Sequence, residues 1–89
     1  MNTVSKYWSD KAWDDYLYWQ IQDKKTLLKI NKLVKDIERN GLSEGIGKPE
    51  PFRYRKGWSR RIDEKNRLVY DIDESGNILI ASCRGHYEY

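Results

Sequence analysis

The 89-residue sequence predicts an α+β fold: two N-terminal helices packed on one face of a mostly antiparallel sheet of four to five strands. Three observations carry that reading. Apolar residues in the first half recur at helical spacing. The stretch Trp58–Ile72, WSRRIDEKNRLVYDI, sets two strand-prone runs around the turn formers Asp63–Asn66. Beyond it the strand-like runs follow one another across short turns, the connection that suits antiparallel neighbours.

In chain order, Met1–Trp8 is expected to hold a short first strand, with Val4 and Tyr7 or Trp8 as its apolar points. Ser9 is a good N-cap and Asp10 suits the first turn of a helix, where the dipole favours a carboxylate. Trp13, Tyr16, Leu17 and Gln20 or Ile21 recur at helical spacing, so Asp10–Ile21 reads as helix one, its aromatic stripe facing the core or a partner rather than stacking on bases. Asp23 caps a second helix. Its Leu27, Ile30, Leu33, Val34 and Ile37 form the apolar face, and Lys24, Lys25, Lys29, Lys32, Lys35 and Asp36 fill the opposite side. Asn40-Gly41 ends it.

Leu42–Pro51 carries Gly45, Gly47, Pro49 and Pro51 and reads as a loop. The two prolines around Glu50 keep it out of a helix and present its carboxylate stiffly at the mouth of a strand. Phe52–Arg55 is the expected second strand, closed by a tight connection at Lys56-Gly57. In the hairpin that follows, a three-residue loop of Glu64, Lys65 and Asn66, with Asn66 in the left-handed region, sets Ile62 opposite Leu68, Arg60 opposite Tyr70 and Trp58 opposite Ile72. Trp58, Ile62, Leu68, Tyr70 and Ile72 then share one face. Arg61, Arg67 and Val69 share the other, with the two guanidinium groups diagonal across neighbouring strands. Asp73–Asn77 is a further turn, and Ile78–Cys83 the most apolar run, expected to be a well-covered central strand.

The size allows one domain, residues 1–89, with one small core. Four Trp and seven Tyr argue against disorder in a chain that is 35% charged. No apolar run approaches the ~18 residues of a membrane span, and no charged-then-apolar leader opens the chain, so no signal peptide is expected. The one cysteine, Cys83, excludes an intramolecular disulfide, fits a reducing cytoplasm and is expected to be a small buried side chain. The net charge of +3 hides a gradient: residues 48–67 hold eight Lys or Arg against three Asp or Glu, whereas 68–89 are net acidic. A basic sector of that kind suits a polyanion, nucleic acid being the commonest.

Glu50, Arg53, Arg61, Arg67, His86 and Tyr87 are the polar groups expected on the uncovered sheet face and its margins. One carboxylate, several arginines and one imidazole are what phosphodiester transfer within RNA requires. The 2′-hydroxyl must lose a proton, the phosphorane must be stabilised, and the 5′-oxygen must gain a proton. Glu50 suits the base, Arg67 and Arg61 the phosphate with Arg53 in support, and His86 the acid, imidazole being the side chain that titrates near neutrality. Tyr87 suits stacking on a base or positioning the phosphate. No metal or cofactor is needed. The plainer readings are a solvated sheet face for the arginines, a loop charge paired with Lys48 or an arginine for Glu50, and a mobile tail for His86.

Five segments in order resemble one family: Trp13–Trp19 (W-x-x-Y-x-Y-W), Gly47–Pro51 (G-K-P-E-P), Trp58–Ile62 (W-S-R-R-I), Arg67–Tyr70 (R-L-V-Y) and Cys83–Tyr87 (C-R-G-H-Y). They look like the YoeB/Txe group of the RelE-like toxins, over nearly the whole chain. The resemblance implies a microbial-ribonuclease-like fold and a cytoplasmic endoribonuclease that cuts mRNA in the ribosomal A site. It implies Glu50 as general base, Arg67 as phosphate-stabilising arginine, His86 as general acid and Tyr87 as the tyrosine that closes the site. Arg61 matches a supporting arginine, Arg53 stands where relatives often have Lys, and Lys48 joins them as a substrate contact. It further implies a YefM-like antitoxin, operator DNA bound only through the toxin–antitoxin complex, a homodimer, and no membrane. The chain departs from the family in a shorter connection before Trp58 and in Glu88-Tyr89, which run past the usual His-Tyr end. A non-catalytic corepressor that binds RNA or antitoxin, and a ribonuclease acting on free RNA, are the alternatives.

Overall fold

The computed structural model describes residues 4–86. The order is β1 (Lys6–Trp8), α1 (Asp10–Gln22), α2 (Lys24–Asn40), β2 (Glu50–Pro51), β3 (Trp58–Arg61), β4 (Arg67–Ile72) and β5 (Ile78–Ser82). The five strands form one sheet in the order β1-β5-β4-β3-β2. Three of the four pairings are antiparallel, but β1 runs parallel to β5, with Tyr7 beside Leu79, so the sheet is mixed. Two helices and a three-strand meander separate β1 from β5, which is ample chain for a parallel return.

The helix ends follow their caps. Ser9 Oγ accepts from Ala12 N–H at 3.0 Å and donates to Ala81 O at 2.7 Å, tying the start of α1 to β5. Asp23 caps α2 through Lys25 N–H at 3.1 Å and Thr26 Oγ1 at 2.9 Å. Gly41 N–H closes α2 on Ile37 O at 2.8 Å. Ile30, Leu33, Val34 and Ile37 pack with Leu68, Tyr70, Ile78, Ile80 and Cys83 in the core beneath the sheet. Full burial of each such aliphatic side chain stabilises the fold by roughly 1.5–3 kcal/mol.

Helix one turns a different face inward than the Trp13–Leu17–Ile21 spacing predicts. Ala12, Asp15 and Trp19 are buried, whereas Trp13 is 49% and Ile21 82% exposed. Polar anchoring decides the rotation. Trp19 Nε1 donates to Cys83 O at 2.9 Å and Asp15 Oδ2 accepts from Cys83 N–H at 3.0 Å, so these two residues must face the end of β5. Cys83 is fully buried as expected, and burial followed by the nearby Asp15 charge pushes its thiol up to about 12.

The short first strand falls at Lys6–Trp8, within the expected Met1–Trp8, and residues 1–3 lie outside the described part. Three strand expectations change. The second strand is Glu50–Pro51 rather than Phe52–Arg55. Phe52 is buried and its N–H donates to Gly57 O at 3.0 Å, while residues 53–56 are all exposed, a loop without strand alternation. The hairpin register is displaced by two residues: Arg60 faces Leu68, Trp58 faces Tyr70, and Arg61 lies directly opposite Arg67 rather than diagonal to it. The loop is therefore residues 62–66. It is shaped by Asp63, whose Oδ1 accepts from Lys65 N–H and Asn66 N–H, both at 2.8 Å, and not by a left-handed Asn66. A displacement of two keeps the side-chain parity, so the inner and outer sets stand. Strand β5 is covered on one face only, with Leu79 and Ala81 exposed and Ile78 and Ile80 buried, because both helices lie on the same side of the sheet.

Candidate functional site on the open sheet face

The open face gathers residues from three strands. Glu50 is the Cα partner of Ser59 across β2–β3, and Ser59 that of Val69 across β3–β4. Ser59 is buried, and its Oγ accepts from Arg67 Nε at 3.0 Å. Arg67 Nη2 reaches Glu50 Oε2 at 3.5 Å. The guanidinium is thus held from one edge by a fixed hydroxyl and offered from the other to a carboxylate that is 59% exposed. An ion pair this long and this exposed stabilises little, about 0–1 kcal/mol, so an incoming anion displaces it at small cost. A planar fork beside a carboxylate can bind a phosphate while the carboxylate takes a proton from a neighbouring hydroxyl.

The remaining predicted residues that the structure describes lie on neighbouring segments. Lys48, two positions before Glu50, is exposed and has a φ of 51°, a left-handed conformation that costs a non-glycine residue roughly 1–2 kcal/mol. Gly47 O accepts from Arg61 N–H at 2.7 Å, which pins the loop carrying Lys48 and Glu50 to β3. Arg61 is exposed and directly opposite Arg67, so two cationic forks share the open face. Arg53 lies on the adjoining bend, its guanidinium 5.9 Å from the centre of the Tyr54 ring. His86 is exposed and follows Gly85, whose carbonyl accepts from Arg67 N–H at 3.1 Å. The imidazole is therefore attached one residue from the backbone of Arg67. Tyr87, like Glu88 and Tyr89, lies outside the described residues. Among the described residues no group of three His, Cys, Asp or Glu side chains could hold a metal ion.

The sequence reading missed three supporting residues. Ser59 and Asn66 hold Arg67 and Gly85 from the open side. On the core side Arg60 is 0% exposed and uses all five of its N–H donors. Nε donates to Tyr70 Oη at 2.9 Å, Nη1 to Asp36 Oδ2 at 2.5 Å and Ile46 O at 3.1 Å, and Nη2 to Gly41 O and Glu44 O, both at 2.7 Å. Tyr70 Oη in turn donates to Leu42 O at 2.6 Å, and burial pushes its phenol up. The signal for Arg60 was its parity: it lies two residues from both Trp58 and Ile62, shares their face, and so points inward. Its network gives the irregular segment 41–46, which leads to Lys48 and Glu50, a fixed path.

Residues 8–87 match the family profile described as the YoeB-like toxin of bacterial type II toxin-antitoxin systems. Toxin YoeB of Escherichia coli strain K12 is 52% identical over 82 residues, covering 90% of this chain and 95% of that protein. Toxin YoeB of Streptomyces coelicolor is 41% identical over 78 residues, covering 85% and 90%. A solved YoeB dimer from Staphylococcus aureus superposes with a TM-score of 0.88 at 48% identity, covering 97% of this chain and all of that one. The toxin in a YoeB-YefM complex from the same organism gives 0.87 at 45%, with 97% and 100% covered. The E. coli DinJ-YafQ complex shares the fold alone, with a TM-score of 0.76 at 15% identity over 94% of each chain.

Proposed function

Because the chain belongs to the YoeB-like toxins of bacterial type II toxin–antitoxin systems, which have the RelE-like fold, we propose that it is an endoribonuclease that cuts mRNA in the ribosomal A site and so arrests translation. The observation that carries this reading is the Glu50–Arg67 pair, with Arg67 anchored by Ser59, on an otherwise basic open face. Glu50 takes the proton of the ribose 2′-hydroxyl, and the 2′-oxygen attacks phosphorus. Arg67, with Arg61, Arg53 and Lys48 around it, stabilises the charge that builds on the phosphorane oxygens. His86 gives its proton to the departing 5′-oxygen, leaving a 2′,3′-cyclic phosphate and a 5′-hydroxyl. Tyr87 closes the site over the nucleotide. The side chains supply both proton transfers and the charge stabilisation, so the reaction is written without a metal or cofactor.

The ribosome is the delivery surface. The basic sector and the exposed Lys24, Lys25, Lys32 and Lys35 of α2 suit ribosomal RNA. A YefM-like antitoxin, as found with the staphylococcal relative, neutralises the toxin by laying an acidic segment over the same sector. Operator DNA is reached only through that complex. The exposed row Trp13, Leu17 and Ile21 is the surface offered to a second copy, in keeping with the staphylococcal YoeB dimer. The site of action places the protein in the cytoplasm.

The test is cleavage of a defined message on purified ribosomes, with 5′ ends mapped by primer extension. Glu50→Gln and His86→Gln are each expected to slow cleavage by about 10²–10⁴-fold, and Arg67→Ala by about 10²–10³-fold, with folded variants by circular dichroism. A message left intact by wild-type protein at concentrations that arrest translation would make it a binding corepressor instead. Equal cutting of naked RNA with and without ribosomes would make it a general ribonuclease.

A further inference from the structure

His86 sits on irregular backbone, and such backbone holds a side chain in place only where its own N–H and C=O groups are tied down. The stretch before it is tied at two points. Cys83 is fixed to α1 through Asp15 and Trp19. Two residues on, Gly85 N–H donates to Asn66 Oδ1 at 2.8 Å, and Gly85 O accepts from Arg67 N–H at 3.1 Å. Asn66 is itself oriented: its Nδ2 donates to both oxygens of Asp63, at 3.0 and 3.1 Å, and its N–H donates to Asp63 Oδ1 at 2.8 Å. A carboxylate only accepts, so the amide nitrogen must face Asp63 and the amide oxygen must face Gly85. The hairpin loop that presents Arg67 is therefore also the clip for the residue before His86.

We infer that Asn66, oriented by Asp63, is a positioning residue for the reaction: it clips Gly85 beside Arg67 so that His86 meets the phosphate that Arg67 holds. The inference rests on the reading of His86 as the general acid. Without the Asn66 side chain the Arg67–Gly85 backbone bond remains, so the tail loosens and does not detach. Misplacing a reacting group by about 1 Å costs on the order of 10²-fold in rate.

The experiment is a double-mutant cycle on the full chain, in the same ribosome cleavage assay, with kcat and KM read separately. Asn66→Ala is expected to lower kcat by roughly 10–100-fold with KM little changed, and to add nothing on a His86→Gln background. The exchanged pair Asp63→Asn with Asn66→Asp keeps an amide–carboxylate contact and an accepting oxygen at Gly85, and is expected to recover most of the rate. Hydrogen exchange gives a readout independent of turnover: the Gly85 amide loses protection in Asn66→Ala while the β5 amides keep theirs. If Asn66→Ala does not fold, Asn66→Ser takes its place, the shorter hydroxyl being unable to span to Gly85. The same fold loss with and without His86, or a wild-type kcat in folded Asn66→Ala, overturns the proposal. A wild-type rate in His86→Gln removes the acid assignment itself, a failure distinct from an inert Asn66.

Discussion

Arg60 shows how one residue can decide whether an irregular segment has a shape. Each of its five N–H groups has an acceptor, and three of those acceptors are carbonyls of the 41–46 segment. Arg60→Leu is expected to destabilise the protein by about 3–5 kcal/mol, because Asp36 loses its buried partner, as read by urea unfolding. Asp36 ties the network to pH. Desolvation pushes its carboxyl up, but hydrogen bonds from Arg60, Ile46 N–H and Asn40, together with the Arg60 charge, hold it below its ordinary value. A carboxyl lowered in the folded state contributes stability above its unfolded pKa and loses it as pH falls through the folded one. Unfolding midpoints are therefore expected to drop as pH falls below about 4. Asp36→Asn flattens that slope, and the likewise lowered Glu38, Asp63 and Asp73 leave a residual one.

The Glu50–Arg67 pair is assembled by three short pieces of chain, each held by its neighbour. The loop after α2 passes under β3 at Gly47, whose φ is +83° and where a Cβ would meet Leu33 Cδ2 at 2.8 Å and Arg60 Cβ at 3.1 Å. Gly76 has a similar φ of +86°, but a Cβ there meets nothing within 4 Å. Gly47→Ala is thus expected to cost both backbone strain and crowding, about 2–4 kcal/mol, and to slow RNA cleavage by shifting Glu50. Gly76→Ala costs the strain alone, about 1–2 kcal/mol, and leaves cleavage unchanged. Differential scanning calorimetry with the cleavage assay separates the two. The same interlocking explains why the hairpin's inner and outer faces were legible while its register was not: alternation fixes parity, but the loop length depends on Asp63 folding back on Lys65 and Asn66. Helix one was legible in extent from Ser9 and Asp23, and misread in rotation. Its exposed Trp13–Leu17–Ile21 row is as apolar as a core stripe, and only the bonds from Asp15 and Trp19 to Cys83 reveal which side is inside.

Among the described residues, the helices and core lie on one side of the sheet and the Glu50–Arg67 pair with Arg61 on the other, while exposed lysines line α2. Ribosome association by Glu50→Gln, expected to cleave slowly, is expected to weaken steeply with salt, in proportion to the phosphates contacted. Sedimentation with labelled ribosomes between about 50 and 200 mM salt checks this, and a flat profile would argue against an electrostatic footprint. The sequence by itself determined the fold class, both helix spans, the buried face of α2 and the side-chain parity of the hairpin. Those follow from periodicity, caps and parity, which are local properties of the chain. Only the tertiary structure decided that β1 returns parallel to β5, that Glu50 meets Arg67 across β3 through Ser59, and that Arg60 and Asn66 hold the two irregular segments flanking the site. These depend on hydrogen bonds between residues far apart in the chain, and no local pattern specifies which distant donor an unpaired carbonyl will find.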